Sequence, residues 1–220
     1  MTKELQFGRR AAKSGQAKSL VVFLHGYGAD GADLLGLADP LAPHLPDTVF
    51  VAPNAPDRCT GNPFGYQWFP IPWIDGSSEA EARAGMAASA AALNAFLDAR
   101  LTEEGLGADA LALVGFSQGT MMSLEVAPRR AAPVACVVGF SGRLIGPERL
   151  AGDLTARPPI LLVHGDRDEV VPPASMPEAE RVLSAAGIPV QTFVSPGTAH
   201  GIAADGLGVA LGFLKTHLPA

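Results

Sequence analysis

The 220-residue sequence holds only two cysteines, Cys59 and Cys136. Two thiols cannot build a disulfide framework in a chain of this size, and they match no metal-ligand spacing. Aromatic residues are also scarce, at 6%, so where those few rings sit matters. No cluster of Lys and Arg occurs. With 16 basic against 22 acidic residues the net charge is −6, which argues against a nucleic-acid partner and against a polybasic membrane patch. Long apolar runs are missing too. The longest charge-poor stretch, Ala84 to Leu97, is short and interrupted by Ser and Asn, so no integral membrane segment is expected. Met1 to Arg10 carries charges but no apolar core, so no secretory signal is expected there and the cytoplasm is the expected location.

What is present describes a folded domain. Apolar residues make up 48% and charged residues 17%, which excludes a disordered chain. The 25 glycines and 19 prolines point to many constrained turns rather than to low-complexity sequence. Short apolar runs at Leu20–Leu24, Val49–Ala52, Leu111–Phe116, Val134–Phe140, Ile160–Val163 and Val190–Val194 read as strands. Most are continuous rather than alternating, as in parallel sheets buried on both faces. Leu5–Ala12 reads as a weak edge strand. Ser78 and Glu81 have capping-box spacing before an Ala-rich helix reaching about Leu101. Ser175 and Glu178 repeat that spacing before a helix that stops at Gly187, and a last helix runs from near Asp205 to His217. Strand–helix alternation without a composition break predicts a single α/β domain over residues 1–220, a mostly parallel sheet with helices on both faces and no large cap domain.

One segment breaks the rhythm. Ala52 to Gly76 is dense in Pro and Gly and reads as neither helix nor strand, yet it holds Phe64, Tyr66, Phe69, Trp73 and Trp68, both tryptophans of the chain included. Long loops in compact domains are functional or disordered, and disordered ones are poor in aromatics. The segment therefore reads as an ordered wall over something apolar.

Gly115-Phe116-Ser117-Gln118-Gly119 closes the third of the six runs and opens a helix with Thr120-Met121-Met122. A G-x-S-x-G at a strand–helix junction is the pattern of a nucleophile elbow, which exposes a serine oxygen at a sharp turn beside the helix N-terminus. Gly139-Phe140-Ser141-Gly142 lacks the second glycine at that spacing, so Ser141 reads as a strand-end residue. Serine needs a base, and the base needs an orienting carboxylate. In α/β hydrolases they follow in the order acid, then histidine. His164-Gly165-Asp166-Arg167-Asp168-Glu169 follows one predicted strand and Ser195-Pro196-Gly197-Thr198-Ala199-His200 follows the next. Both fall at the strand-end edge where open α/β sheets bind ligands. Asp166, Asp168 and Glu169 all qualify as the acid, Asp168 foremost, and His200 as the base. His44 and His217 read as surface residues, and His164 as shaping its turn. Acyl transfer also needs two preorganised N–H donors for the developing oxyanion. The amide of Gln118 is one candidate, and that of Tyr27, in His25-Gly26-Tyr27-Gly28 after the first long run, is the other. His25 then holds that loop. No carboxylate spacing supports a metal site built from His25, His164 and His200.

The sequence resembles the phospholipase/carboxylesterase family of α/β hydrolases, which includes acyl-protein thioesterases and small bacterial carboxylesterases. The resemblance rests on Leu24-His25-Gly26-Tyr27-Gly28-Ala29-Asp30, Ala52-Pro53-Asn54-Ala55-Pro56, Gln67-Trp68-Phe69, the Ser117 elbow, His164 to Asp168 with Val171-Pro172, and Ala199-His200-Gly201. It implies Ser117, Asp168 and His200 as a triad, with the Tyr27 and Gln118 amides as oxyanion hole and no cofactor. It also implies a small-molecule ester or lipid-like acyl substrate and a monomer or homodimer. Trp68, Phe69, Phe64, Trp73 and Met121 are the expected substrate-binding residues. The expected activity is that of a carboxylesterase, with acyl-thioesterase and lysophospholipase as alternatives on the same triad. A non-catalytic module binding an apolar ligand would be expected to have lost a triad member. A dienelactone-type hydrolase would need cysteine where Ser117 stands.

Overall fold

The computed structural model describes residues 3–219, leaving Met1, Thr2 and Ala220 of the expected 1–220 domain outside it. In chain order its elements are β1 (Phe7–Arg10), β2 (Ser19–Leu24), α1 (Gly31–Leu35), α2 (Ala38–Leu41), β3 (Thr48–Pro53), β4 (Asp57–Arg58), β5 (Tyr66–Gln67), α3 (Pro72–Asp75) and α4 (Glu79–Glu104). The second half continues with β6 (Leu111–Phe116), α5 (Gln118–Val126), β7 (Cys136–Phe140), α6 (Leu150–Asp153), β8 (Ile160–Gly165), α7 (Ser175–Ala185), β9 (Val190–Ser195) and α8 (Ala204–His217). Seven strands form one sheet in the order β1-β3-β2-β6-β7-β8-β9. All neighbours pair in parallel except the edge strand β1, which runs antiparallel to β3.

The continuous apolar runs divide by parity into two cores, because successive side chains of a strand point to opposite faces. Leu20, Val22, Leu24, Leu111, Leu113, Ile160 and Leu162 pack with residues of α4, α5 and α7. Val21, Phe23, Ala112, Val114, Leu161 and Val163 pack with residues of α1, α2 and α8. Burial of each of these Leu, Ile, Val and Phe side chains is worth about 1.5–3 kcal/mol, and the central strands contribute to both layers.

Ser78 and Glu81 form the expected reciprocal capping box, and α4 runs on to Glu104, where Gly105 ends it with φ 67°. The box expected at Ser175 does not form. Ala174 is the N-cap, without a side-chain cap, and Ser175 already lies inside the helix. The Pro172-Pro173 turn starts the winding early, with the Ser175 amide donating to the Pro172 carbonyl at 2.9 Å.

The 52–76 segment is more regular than its composition predicts. It contains the short β4–β5 hairpin, pairing Asp57 with Gln67 and Arg58 with Tyr66, and the single turn of α3. Two-residue strands are too short to leave a periodic signal among prolines and glycines.

Candidate active site

Strands β2, β6, β8 and β9 deliver their loops to one edge of the sheet, and the candidate residues stand there. Ser117 follows β6 directly and adopts φ 53°, ψ −114°, a conformation that is strained for any residue with a side chain. Its surroundings impose it. The Ser117 amide donates to the Phe140 carbonyl on β7 at 2.9 Å, and its carbonyl accepts from Met121 at 3.2 Å. The turn works only because Gly115 and Gly119 have no side chains. A Cβ on Gly115 would sit 2.5 Å from the Gly119 backbone, and one on Gly119 would sit 1.8 Å from the Leu24 carbonyl oxygen. Ser141 also has positive φ, at 48°. As expected, it sits at a strand end, immediately past β7.

Asp168 lies in the turn after β8, its side chain removed from solvent. Its Oδ1 accepts from the amides of Val170 and Val171, both at 2.9 Å. Its Oδ2 faces His200 Nδ1 at 2.8 Å. Burial opposes ionisation of this carboxyl, but the hydrogen bonds from His200, Val171 and Val170 outweigh it and hold the carboxyl below its ordinary range. The structure thus brings Asp168, rather than Asp166, to His200. Asp166 instead accepts from the Gly197 amide at 2.6 Å. The His200 ring lies 4.9 Å from that of Phe116, the residue preceding Ser117. Histidine and carboxylate thus meet from β9 and β8, beside the ring of Phe116 at the end of β6.

The loop after β2 comes up against the elbow: a Cβ on Gly26 would lie 3.3 Å from that of Ser117. Gln118 is the first residue of α5, where amides have no acceptor within the helix. His25 holds the loop as expected. Its Nδ1 lies 2.7 Å from the Gly26 carbonyl and its Nε2 accepts from the Ala55 amide at 2.9 Å. Only an imidazole with its proton on Nδ1 satisfies both contacts. Burial accordingly pushes the His25 pKa down.

Two contacts were missed in the sequence. The side chain of Gln118 clamps the aromatic segment: Oε1 accepts from the Trp68 amide and Nε2 donates to the Phe69 carbonyl, both at 2.8 Å. His164, read as a turn residue, also approaches Asp168, with Nε2 at 3.2 Å from Oδ2. Glutamine beside the serine and histidine four residues before the acid were the only available signals.

The expected substrate-binding residues separate into different environments. Trp68 is a correction: it is fully buried and its indole N–H donates to the His25 carbonyl at 3.0 Å, so it supports the site from beneath with no surface for a substrate to touch. Met121 is buried in the same core. Phe64 is 86% exposed at the turn between β4 and β5. Phe69 and Trp73 do line a cavity of about 370 Å³, together with Ile71, Met86 and Ile145. Arg143 stands over the Trp73 ring at 5.5 Å and also borders a second cavity, of about 480 Å³, beside α7. Among the described residues no three His, Cys, Asp or Glu side chains come together as a metal-binding group. Both cysteines are buried and unpaired, and burial pushes the Cys136 thiol up to about 12, leaving it protonated at neutral pH. No helix among the described residues is long and apolar enough to cross a membrane.

A parallel sheet with a strained serine after one central strand and a carboxylate–histidine pair after the last two defines an α/β hydrolase. The chain belongs to the phospholipase/carboxylesterase family, whose profile matches residues 10–218. It is similar to the crystal structure of esterase PE8, with a TM-score of 0.93 and 44% identity over 98% of this chain and 100% of that one. Esterase YpfH of Escherichia coli is 29% identical over 92% of this chain and 84% of its own. The acyl-protein thioesterase 2 structure of Zea mays has a TM-score of 0.79 at 26% identity, covering 97% of this chain and 99% of that one. The chain is a serine hydrolase of the ester- and thioester-cleaving type.

Proposed function

We propose that this protein is a carboxylesterase that works through an acyl-enzyme on Ser117, with His200 as base and Asp168 as its orienting acid. The observation that carries the reading is the 2.8 Å contact between His200 Nδ1 and the buried Asp168 Oδ2. That contact leaves Nε2 as the ring nitrogen available to the serine. His200 takes the Ser117 proton as the oxygen attacks the acyl carbonyl, and the amides of Tyr27 and Gln118 receive the charge that develops on the carbonyl oxygen. The alcohol departs with the proton from His200. Water, activated by the same imidazole, then releases the acid and restores the serine. Asp168 stays ionised and stabilises the imidazolium.

The cavity with Phe69, Ile71, Trp73 and Met86 on its wall also carries Arg83, Arg143, Glu125 and Glu148, and its apolar side suits the hydrocarbon part of an acyl substrate. Thioester cleavage is the second reading, favoured by relatives named acyl-protein thioesterase in Neurospora crassa and Zea mays. A cytoplasmic monomer or homodimer is the accompanying expectation.

Ser117→Ala should abolish hydrolysis of a short p-nitrophenyl ester and labelling by a fluorophosphonate. Full labelling of the variant would sink the assignment. A panel of esters and thioesters graded in acyl length ranks the two activities. Faster turnover of long-chain thioesters than of any oxygen ester would overturn the carboxylesterase reading in favour of the second.

A further inference from the structure

His164 is a buried titratable group that the mechanism leaves unused. It is the fifth residue of β8, and alternation along the strand puts it on the same face as Ile160 and Leu162, toward the layer that includes α7. The ring is 2% exposed. Its Nε2 lies 2.9 Å from the Val171 carbonyl oxygen. A carbonyl can only accept, so Nε2 carries the proton. The same Nε2 is 3.2 Å from Asp168 Oδ2, the oxygen that also faces His200. Val171 is therefore tied twice, its amide donating to Asp168 Oδ1 and its carbonyl accepting from His164. Asp168 Oδ1 thus holds two amides and Oδ2 holds His200, with His164 Nε2 close beside Oδ2.

We propose that His164 is a positioning residue for the hydrolytic reaction: its Nε2–H, donated to the Val171 carbonyl, anchors the turn whose amides hold Asp168 Oδ1, and its ring packs against Oδ2, so that Oδ2 stays in line with His200 Nδ1. Without that donor the Val171 carbonyl is released, the turn that carries both amides loosens, and Oδ2 can swing off the imidazole. The positive end of the Nε2–H dipole, with Nε2 3.2 Å from Oδ2, also offsets part of the negative charge there. Its loss leaves more charge facing His200 and stabilises the imidazolium. Among the described residues the ion pairs of this ring and this carboxylate are His164–Asp168 and His200–Asp168.

The inference rests on the triad reading and is tested beside it. His164→Leu keeps an apolar side chain on that face and removes the donor, whereas His164→Gln can restore a donor. For the Leu variant kcat on a p-nitrophenyl ester should fall by about 10- to 100-fold, the range expected for a small misplacement of a catalytic group, with KM little changed. The acid limb of the pH–kcat profile should move to higher pH. Gln should recover most of the rate and return the limb toward its original position. The downfield His200 Nδ1–H proton resonance, read on folded protein without substrate, should broaden or shift in Leu and return in Gln.

A merely structural role predicts lower activity in proportion to the folded fraction, with limb and resonance unmoved. That result overturns the proposal, as does a Leu variant with wild-type kcat. If Ser117→Ala is inactive while His164→Leu is unaffected, this inference alone fails. If Ser117→Ala retains activity, the triad reading itself fails.

Discussion

Asp168 collects three donors, the amides of Val170 and Val171 on one oxygen and His200 on the other, and His164 Nε2 lies 3.2 Å from that second oxygen. An amide in its place has only one acceptor oxygen and brings an N–H₂ that opposes one of these donors. Asp168→Asn should therefore favour the wrong tautomer of His200, and kcat should fall by roughly 10⁴-fold. Steady-state hydrolysis of a p-nitrophenyl ester measures this, and a loss smaller than about tenfold would contradict the assigned role. At this scale much was legible in the sequence. Ser117, Asp168 and His200 occur in the right order past strand ends, so the motif and the alternation of elements locate them without coordinates. His164 was not legible in this sense. Its contact with Asp168 depends on how the turn at 166–171 folds back on its own strand, and no spacing rule encodes that.

The segment from β4 to α3 is held from outside as well as by its own hairpin. Gln118 pairs with the backbone of Trp68 and Phe69, the His25 carbonyl accepts from the Trp68 indole, and the Ser89 hydroxyl of α4 donates to the Trp68 carbonyl. Gln118→Ala leaves the buried Trp68 amide and Phe69 carbonyl without partners. It should cost roughly 2–5 kcal/mol, read as a lower urea midpoint, and the 56–66 hairpin should become a preferred cut in limited proteolysis. An unchanged cleavage pattern would show that the clamp is dispensable. Composition told only that this segment was ordered and aromatic. Side chains with the same apparent promise went to opposite ends of the burial scale, Trp68 into the core and Phe64 into solvent. Long-range partners such as Gln118 decide that outcome, and intrinsic preference does not.

For the molecule as a whole, the two cores and the strand-end edge make stability and activity respond to acid through different groups. His25 is buried neutral, its pKa lowered from 6.5 chiefly by burial. Below about pH 6.5 the unfolded chain takes up a proton that the folded chain refuses, so stability falls as the pH drops through that point. Asp168 adds a second loss at lower pH. Its folded pKa lies below 3.8, so its contribution is full above that value and disappears as the pH falls through the folded one. Urea midpoints taken from about pH 8 down to pH 5 should decline below 6.5. His25→Asn should be less stable at neutral pH but show a flatter decline. An equally steep decline in the variant would place the titrating group elsewhere.

The order of the strands has a consequence in time as well as in space. Ser117 rises from β6, in the middle of the sheet, whereas His200 follows β9 at its far edge. A ribosome reading this message makes the nucleophile long before the base that activates it. The elbow can close on β2 and β7 while the chain is still growing, yet Ser117 meets its imidazole only once β9 has docked on β8. A nascent or prematurely terminated chain would thus carry the serine in place and remain chemically silent, with hydrolysis switched on by the last strand to join.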